Sequence, residues 1–190
     1  SKYRNSDIIP LWVADMDFRS PSPVIQLARE ISDDGNFGYG ICPPALSETV
    51  INRLNDFYDW SVERNSIIWL PGMVCGLNIA SRSLADEATQ VITNTPVYPP
   101  FLSSPGNSGL PCTRIPMIVK EGRFTIDFDA LHNLETSPND LFMLCHPHNP
   151  VGTNFSRQEL ENLSEYIIEK ELFICSDEIH CDLILEESLS

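Results

Sequence analysis

Short apolar runs and helix-period stretches alternate along the second half of the chain. The runs at residues 141–145 and 172–175 are continuously apolar. Between them, residues 156–171 repeat apolar positions at helical spacing behind a Ser-x-x-Glu capping box. Continuously apolar strands are typical of a parallel sheet that helices cover on both faces. The pattern therefore predicts a strand–helix–strand unit whose two strands end side by side.

The same alternation continues over the rest of the chain. We predict an extended apolar segment at 8–14 and strands at 67–70, 90–93 and 112–119. The first predicted helix begins within residues 20–23 and is stopped by Gly35. Further helices are predicted at about 46–58, 73–86 and 129–134. Prolines and glycines within residues 99–111 predict a loop with one helical turn, and residues 121–123 predict a turn. The predicted fold class is α/β, a mostly parallel sheet with helices on both faces.

Size, charge and hydropathy limit the classes of protein to which this chain can belong. A chain of 190 residues with 42% apolar and 21% charged residues is long enough for one globular domain, or for a domain and part of another. The net charge of −15 argues against a nucleic-acid partner, and the dispersed acidic residues indicate solvated helix faces. No apolar run approaches the roughly 20 residues of a membrane span, and the N-terminus resembles no signal peptide.

The six cysteines predict thiols in a reducing compartment. They form no CxxC pair, and several lie in apolar strands, so we expect a cytoplasmic protein with core cysteines. A zinc site is the alternative, built from three histidines and three cysteines: His146, His148, His180, Cys145, Cys175 and Cys181. Strand alternation separates Cys145 from His146, and the spacing lacks the tight pairs of structural zinc sites, which favours the core interpretation.

Two polar residues follow neighbouring strands of the predicted unit. Asn149 and Asp177 should reach one cleft at the carboxyl edge of the sheet, where ligands bind in open α/β folds. Such a pair suits a cofactor with a ring nitrogen and a phenolic oxygen, because a carboxylate keeps a pyridine nitrogen protonated. The alternatives are an acidic loop residue, or a metal or acid–base pair with Glu178. Adjacent strand residues point to opposite faces, so only one of the two enters the cleft.

Two further features have a functional and an ordinary interpretation. Gly72 followed by a helix starting at Met73 and Val74 can cradle a phosphate on free amides, although strand–glycine–helix turns are common. No Gly-Lys-Ser/Thr follows, which excludes a nucleotide-triphosphate loop. Tyr98, in a proline-stiffened loop after a strand, can stack on a planar cofactor or simply pack.

Six segments together resemble a known family. They are Pro-Leu-Trp-Val-Ala-Asp-Met-Asp-Phe at 10–18, Phe-Gly-Tyr-Gly at 37–40, Pro-Gly at 71–72, Thr-Pro-Val-Tyr-Pro-Pro at 95–100, His-Asn-Pro-Val-Gly at 148–152 and Ser-Asp-Glu-Ile-His at 176–180. The chain resembles pyridoxal-phosphate enzymes of fold type I, in the class I/II aminotransferase superfamily. Within this superfamily, the sequences of residues 12–18 and 176–180 resemble those of the cystathionine β-lyase-like carbon–sulfur lyase branch, which includes the maltose-regulon modulator.

The resemblance implies a pyridoxal 5'-phosphate cofactor and roles around its ring. Asp177 would pair with the pyridine nitrogen, Asn149 with the phenolic oxygen, and Tyr98 would stack on the ring. His180 takes a position near the phenolic oxygen where many aminotransferases carry tyrosine. These residues would form the ring-binding part of the site.

The resemblance also implies contacts to the phosphate and the substrate. The amides of Met73 and Val74 after Gly72 would bind the phosphate, and Tyr39 would reach the phosphate of the partner subunit in a homodimer. Ala14 would lie near the carboxylate of a small amino-acid substrate. The implied reaction is β-elimination from cystathionine or another cysteine S-conjugate, giving thiol, ammonia and pyruvate. An aminotransferase, or a non-catalytic paralogue or regulatory partner, is the alternative.

The resemblance further implies that the chain is a fragment. The Schiff-base lysine and the substrate-binding arginine of the family are expected beyond residue 190, and Lys2, Lys120 and Lys170 match no such motif. We therefore name no catalytic residue and expect the chain alone to be inactive. Residues 1–35 would belong with a small domain whose C-terminal part is absent. Residues 36–190 would form an incomplete cofactor-binding large domain.

Overall fold

The computed structural model describes residue 9 and residues 12–185, which fall into two compact units divided after Ile67. The first unit holds helices α1 (Ser22–Asp34) and α2 (Pro44–Tyr58) and a short 3₁₀ turn, Arg64–Ser66. Helix α1 stops at Gly35 as predicted, since Gly35 adopts φ 68° and donates its N–H to the Ile31 carbonyl. Residues 8, 10 and 11 of the predicted extended segment 8–14 lie outside the described residues, and Val13 and Ala14 lie in a turn. A domain boundary at residue 35 stays a prediction.

The second unit is built on a parallel sheet. Its strands are β1 (Val91–Thr95), β2 (Cys112–Pro116), β3 (Ile118–Lys120), β4 (Arg123–Thr125), β5 (Leu141–Cys145) and β6 (Phe173–Asp177). Four of them form one sheet in the order β2-β1-β5-β6, with every neighbouring pair parallel. The other two, β3 and β4, form an antiparallel hairpin. The predicted α/β class with a mostly parallel sheet is confirmed.

Helices cover both faces of this sheet. They are α3 (Met73–Ser83), α4 (Pro100–Asn107), α5 (Phe128–His132) and α6 (Arg157–Glu169). Strand β5 is buried throughout and alternates between two cores. Phe142 and Leu144 pack in the core that contains α5 and α6, whereas Leu141 and Met143 pack in the core that contains α3 and α4. No helix in the described part has the length and apolar character needed to cross a membrane.

Three predicted elements differ from the structure. Residues 67–70 form no strand, because this apolar stretch pairs with no strand in the described part of the chain. The single strand predicted at 112–119 is two strands in different sheets, β2 and β3. Residues 100–107 form a full helix, α4, rather than one turn, because Pro100 occupies the first helical position, where its missing N–H costs no hydrogen bond.

A charged cluster fastens the β3–β4 hairpin to the start of α6. Ser156 and Glu159 form the predicted capping box, with the Ser156 N–H donating to Glu159 Oε2 over 2.8 Å. Arg123 donates to both Glu159 carboxylate oxygens at 2.9 Å, and Thr125 donates to Oε1. Burial opposes ionisation of Glu159, but hydrogen bonds from Thr125, Ser156 and Arg123 outweigh it and lower the pKa.

Replacing Glu159 with alanine should lower the free energy of unfolding by about 1–3 kcal/mol, because it removes the side-chain half of the capping box and the carboxylate to which Arg123 and Thr125 donate. Since the native pKa is lowered, this contribution is present above the pKa of the unfolded chain and is lost as pH falls through the native value. Urea titration across pH measures it. Glu161→Ala, at an exposed position on the same helix, is the control. Equal effects of the two variants would contradict the assigned role.

Candidate active site

The strand order creates a crevice between β1 and β5. From β1 the chain continues to β2 on one side, and from β5 it continues to β6 on the other. The β1–β5 ladder ends at Thr93 and Met143, whereas the β5–β6 ladder reaches Cys145 and Asp177. The carboxyl ends of β1 and β5 are thus not paired with each other at the point where the strand order reverses. Ligands bind at this point in open α/β sheets.

Tyr98 and Asn149 meet at this crevice. The Tyr98 N–H donates to the Asn149 carbonyl over 3.0 Å, which joins the loop after β1 to the loop after β5. The Tyr98 side chain is 36% exposed, so its ring remains accessible. Asn149 and His180 both line an open cavity of about 770 Å³. Asn149 therefore contacts the Tyr98 backbone and shares a cavity with His180, whereas Tyr98 is not among the residues that line this cavity.

Asp177 ends β6 as a buried carboxylate, with 4% of the residue exposed. Its Oδ1 accepts a hydrogen bond from the Ile179 N–H at 3.1 Å, and its backbone carbonyl accepts from the His146 N–H at 3.0 Å. None of the ion pairs among residues 12–185 includes Asp177. A buried carboxylate is costly without a cation or several hydrogen bonds, so this one suits a protonated ring nitrogen.

Helix α3 begins with free backbone amides. No side chain caps its first turn, and no described atom lies within 4 Å of where a Gly72 side chain would begin. Met73 and Val74 are exposed, so an anion can approach their N–H groups. The helix packs against α4 and contacts β6. In the part described, no hydrogen bond links these residues to Tyr98, Asn149 or Asp177.

Ala14 and Tyr39 belong to the first unit, whereas the other predicted site residues belong to the second. Ala14 lies in a turn that the Asp15 N–H closes by donating to the Trp12 carbonyl over 2.9 Å. The Tyr39 side chain is fully exposed. Their predicted contacts to the substrate and to a partner's phosphate stay predictions.

His148 is a buried residue of the site, and sequence reasoning weighed it only as a metal ligand. It is 2% exposed, with Nε2 2.8 Å from the Pro96 carbonyl oxygen and Nδ1 3.0 Å from the Cys145 carbonyl oxygen. Burial lowers the pKa of His148, although both carbonyls act in the opposite direction. Its place directly before Asn149, in a proline-rich strand end, was the available signal.

Two more polar side chains lie at this end of the sheet: Asn94, which sequence reasoning missed, and His146, which it weighed only as a metal ligand. Asn94, on β1 beyond the ladder with β5, is 1% exposed, and its amide oxygen and nitrogen have no hydrogen-bond partner among the described residues. The Nδ1 atom of His146 is also buried without a partner, and the ring stacks on Phe155 at 5.6 Å. Burial lowers the pKa of His146. Buried polar atoms normally have partners, so these atoms are candidate contacts for a polar ligand.

The cysteines near the crevice are protonated thiols. Burial raises the pKa of Cys145 and Cys175, and the Asp177 charge raises both further. A protonated thiol is a poor metal ligand. Among the described residues, no three His, Cys, Asp or Glu side chains are grouped to hold a metal ion.

Comparisons with known proteins agree on one family. The sequence model for aminotransferase class I and II matches residues 6–189. Cystathionine beta-lyase PatB of Bacillus subtilis is 36% identical over 181 residues, which are 95% of this chain and 47% of that protein. The crystal structure of OvoB is 36% identical, with a TM-score of 0.89 over 100% of this chain and 50% of its own.

A further solved structure contains a cofactor. Cystalysin from Treponema denticola, whose structure contains pyridoxal 5'-phosphate, is 30% identical with a TM-score of 0.85, covering 96% of this chain and 47% of its own. The chain thus spans about half the length of the relatives that it matches. Since the family match covers nearly all of the sequence and the fold agrees, the chain belongs to the aminotransferase class I and II family.

Proposed function

We propose that the protein carrying this chain is a pyridoxal-phosphate-dependent carbon–sulfur β-lyase. Its substrate would be cystathionine or another cysteine S-conjugate, and its products a thiol, ammonia and pyruvate. The observation that carries the proposal is the buried Asp177 carboxylate, which lacks an ion pair among the described residues and ends the strand beside the Tyr98–Asn149 crevice. The similarity to a cystathionine β-lyase supports the choice of reaction.

The residues at the crevice fit the cofactor ring. Asp177 would hold a proton on the pyridine nitrogen, and the Asn149 amide would donate to the phenolic oxygen. Tyr98 would cover one face of the ring and exclude water, with His180 beside the phenolic oxygen. The bound cofactor supplies a sink for the electron pair released at the substrate Cα. The Asp177 charge makes that sink effective, because the protonated ring accepts electrons more readily.

The start of α3 fits the phosphate. The amides of Met73 and Val74 would donate to it, and Gly72 leaves room for its approach. We further propose a homodimer in the cytosol, in which Tyr39 reaches the partner's phosphate and Ala14 lies near the substrate carboxylate. The six free thiols support a reducing compartment.

We assign the proton-abstracting base to neither lysine of the second unit. Lys170 follows α6 and precedes β6, at the opposite end of that strand from Asp177, and its Nζ lies 3.2 Å from a Glu169 carboxylate oxygen. Lys120 is exposed at the end of β3, in the hairpin. The family resemblance instead assigns this role to a lysine that follows the residue 176–180 motif.

Cystathionine turnover tests the proposal. Protein made from the complete reading frame and loaded with pyridoxal phosphate should release pyruvate and homocysteine over many turnovers without any keto acid. A thiolate leaves readily from Cβ, so elimination needs no acceptor. Alanine, which has no Cβ leaving group, is the control substrate and should give no pyruvate under these conditions. Conversion of cystathionine to its own keto acid at the expense of an added keto acid, without pyruvate release, would indicate an aminotransferase. Cofactor binding without any turnover would indicate a non-catalytic protein.

A further inference from the structure

His148 spans the gap where β1 and β5 are no longer paired. Backbone pairing between these strands stops at Thr93 and Met143, two residues before either strand ends. Beyond that point, the His148 ring contacts the carbonyl of Pro96, in the loop after β1, at 2.8 Å and the carbonyl of Cys145, the last residue of β5, at 3.0 Å. The His148 side chain therefore connects the chain segments after β1 and β5 at a point where no backbone pairing joins them.

The backbone of His148 is itself held firmly. Its N–H donates to the Thr153 carbonyl at 2.8 Å, and its carbonyl accepts from the Gly152 N–H at 2.8 Å. The ring meets Phe155 edge-on at 5.8 Å. Because the backbone and the ring of His148 are both held in place, the contact to the Pro96 carbonyl determines the distance between the loop after β1 and the loop after β5.

Both partners of this contact lie close in the chain to residues predicted at the cofactor ring. Pro96 lies two residues before Tyr98, and His148 directly precedes Asn149. The Tyr98 N–H donates to the Asn149 carbonyl, so the two loops are joined at two neighbouring points. Two such links define the separation and the tilt of the loops. Together they locate the Tyr98 ring relative to the Asn149 amide.

We propose that His148 is a positioning residue, which holds the Tyr98 ring and the Asn149 amide at the spacing that a pyridine ring needs between them. The inference rests on the proposed function. We assign the imidazole proton to Nε2, whose contact to the Pro96 carbonyl is the shorter of the two. That contact, and not the local one from Nδ1 to the Cys145 carbonyl, is the link between the loops.

Two substitutions separate the two contacts. In His148→Gln, the side-chain amide nitrogen can occupy the place of Nε2 and keep the donor to the Pro96 carbonyl. In His148→Asn, the shorter amide reaches only the place of Nδ1 and keeps the local contact to the Cys145 carbonyl. A structural role that depends on filling the buried space would make the two variants similar, with the smaller asparagine somewhat worse. A positioning role affects ring binding specifically.

The probes are pyridoxine 5'-phosphate and inorganic phosphate, titrated calorimetrically into cofactor-free protein made from the complete reading frame. Pyridoxine 5'-phosphate has no aldehyde, so its affinity reports the ring and phosphate contacts without a covalent bond to lysine. We expect His148→Asn to weaken pyridoxine 5'-phosphate binding about tenfold, the loss of one hydrogen bond, and to leave phosphate affinity unchanged. His148→Gln should retain most of the wild-type affinity for both probes.

The outcomes separate this inference from the proposed function. If the wild type binds pyridoxine 5'-phosphate no more tightly than phosphate, the ring site itself fails, and the inference fails with it. If the wild type prefers pyridoxine 5'-phosphate but His148→Asn keeps that preference, or loses affinity for both probes equally, only the inference is overturned.

A measurement on the wild type covers the case in which His148→Asn does not fold. Nitrogen-15 NMR should show a proton on His148 Nε2 and a coupling across the hydrogen bond to the Pro96 carbonyl carbon. An Nε2 atom without a proton would overturn the proposed link.

Discussion

Replacing Asp177 with asparagine is expected to reduce the turnover of cystathionine by at least about a thousandfold, or roughly 4 kcal/mol in the activation barrier. Asparagine cannot keep a proton on the pyridine nitrogen, so the ring would no longer accept the electron pair released at the substrate Cα. The amide oxygen of asparagine can still accept the Ile179 N–H that Asp177 Oδ1 now accepts. The loss should therefore arise from charge and not from a disturbed strand end.

Steady-state pyruvate release from the cofactor-loaded, complete protein measures this effect. Glu178→Gln is the matched control, because Glu178 is the adjacent carboxylate, is exposed, and accepts from the Ser176 hydroxyl at 2.8 Å. It should leave turnover unchanged. A comparable loss in both variants would favour the alternative in which the two carboxylates act as a metal or acid–base pair. An Asp177→Asn protein with most of its activity would show that the carboxylate is structural.

Elements whose signals are local were predictable from the sequence. Strand β5 was predicted at its observed bounds because a continuous apolar run is buried on both faces. Helix α6 was predicted from its capping box and apolar period, and the end of α1 from Gly35. In each case the residues that determine the element lie within the element or next to it in the chain. A local sequence pattern is therefore enough to predict it.

Elements that depend on distant partners were not predictable. The stretch 67–70 has the composition of a strand, but a strand exists only where another strand pairs with it. Residues 112–119 have a strand-like composition throughout, yet Pro116 is the last residue of β2 and the chain then leaves the sheet for the hairpin. Amino-acid composition alone cannot show where the chain stops pairing in one sheet and begins to pair in another.

The site shows the same division. Asn149 and Asp177 could be placed together because both come at the ends of apolar strands, and parallel strands bring their carboxyl ends to one edge. The contact from His148 to Pro96 joins residues that are far apart in the chain and depends on the side-chain direction. The unpartnered amide of Asn94 depends on where the β1–β5 ladder stops. The spacing of residues in the sequence determines neither the strand register nor the direction of a side chain.

The opposite end of β1 and β5 is joined by another buried group, Asp140, which is 0% exposed. Its Oδ1 accepts from the Thr89 N–H at 2.7 Å, the Thr89 hydroxyl at 2.9 Å and the Gln90 N–H at 3.1 Å. Its Oδ2 accepts from the Ser137 N–H at 2.9 Å and from Gln90 Nε2 at 3.0 Å. One carboxylate thus satisfies the backbone that precedes β1 and the loop that precedes β5. The spacing of the two strands is fixed from this end.

Replacing Asp140 with alanine should therefore lower the free energy of unfolding by about 3–5 kcal/mol, because it leaves several buried N–H donors without an acceptor. Burial alone would raise the pKa of Asp140, but hydrogen bonds from Ser137, Gln90 and Thr89 outweigh it and lower the pKa. The native protein therefore binds this proton less readily than the unfolded chain does. The stabilisation should be complete above about pH 5 and be lost as pH falls through the native pKa.

Urea unfolding of the wild type and the Asp140→Ala protein at several pH values tests this. The difference between the two free energies should stay constant from neutral pH down to about pH 5 and shrink in more acidic solution. Asp86→Ala removes an exposed carboxylate from the segment that precedes β1 and should change stability little at any pH. A difference that does not depend on pH would mean that Asp140 contributes through packing alone. In that case the hydrogen bonds at this end of the sheet would not be what holds β1 and β5 together.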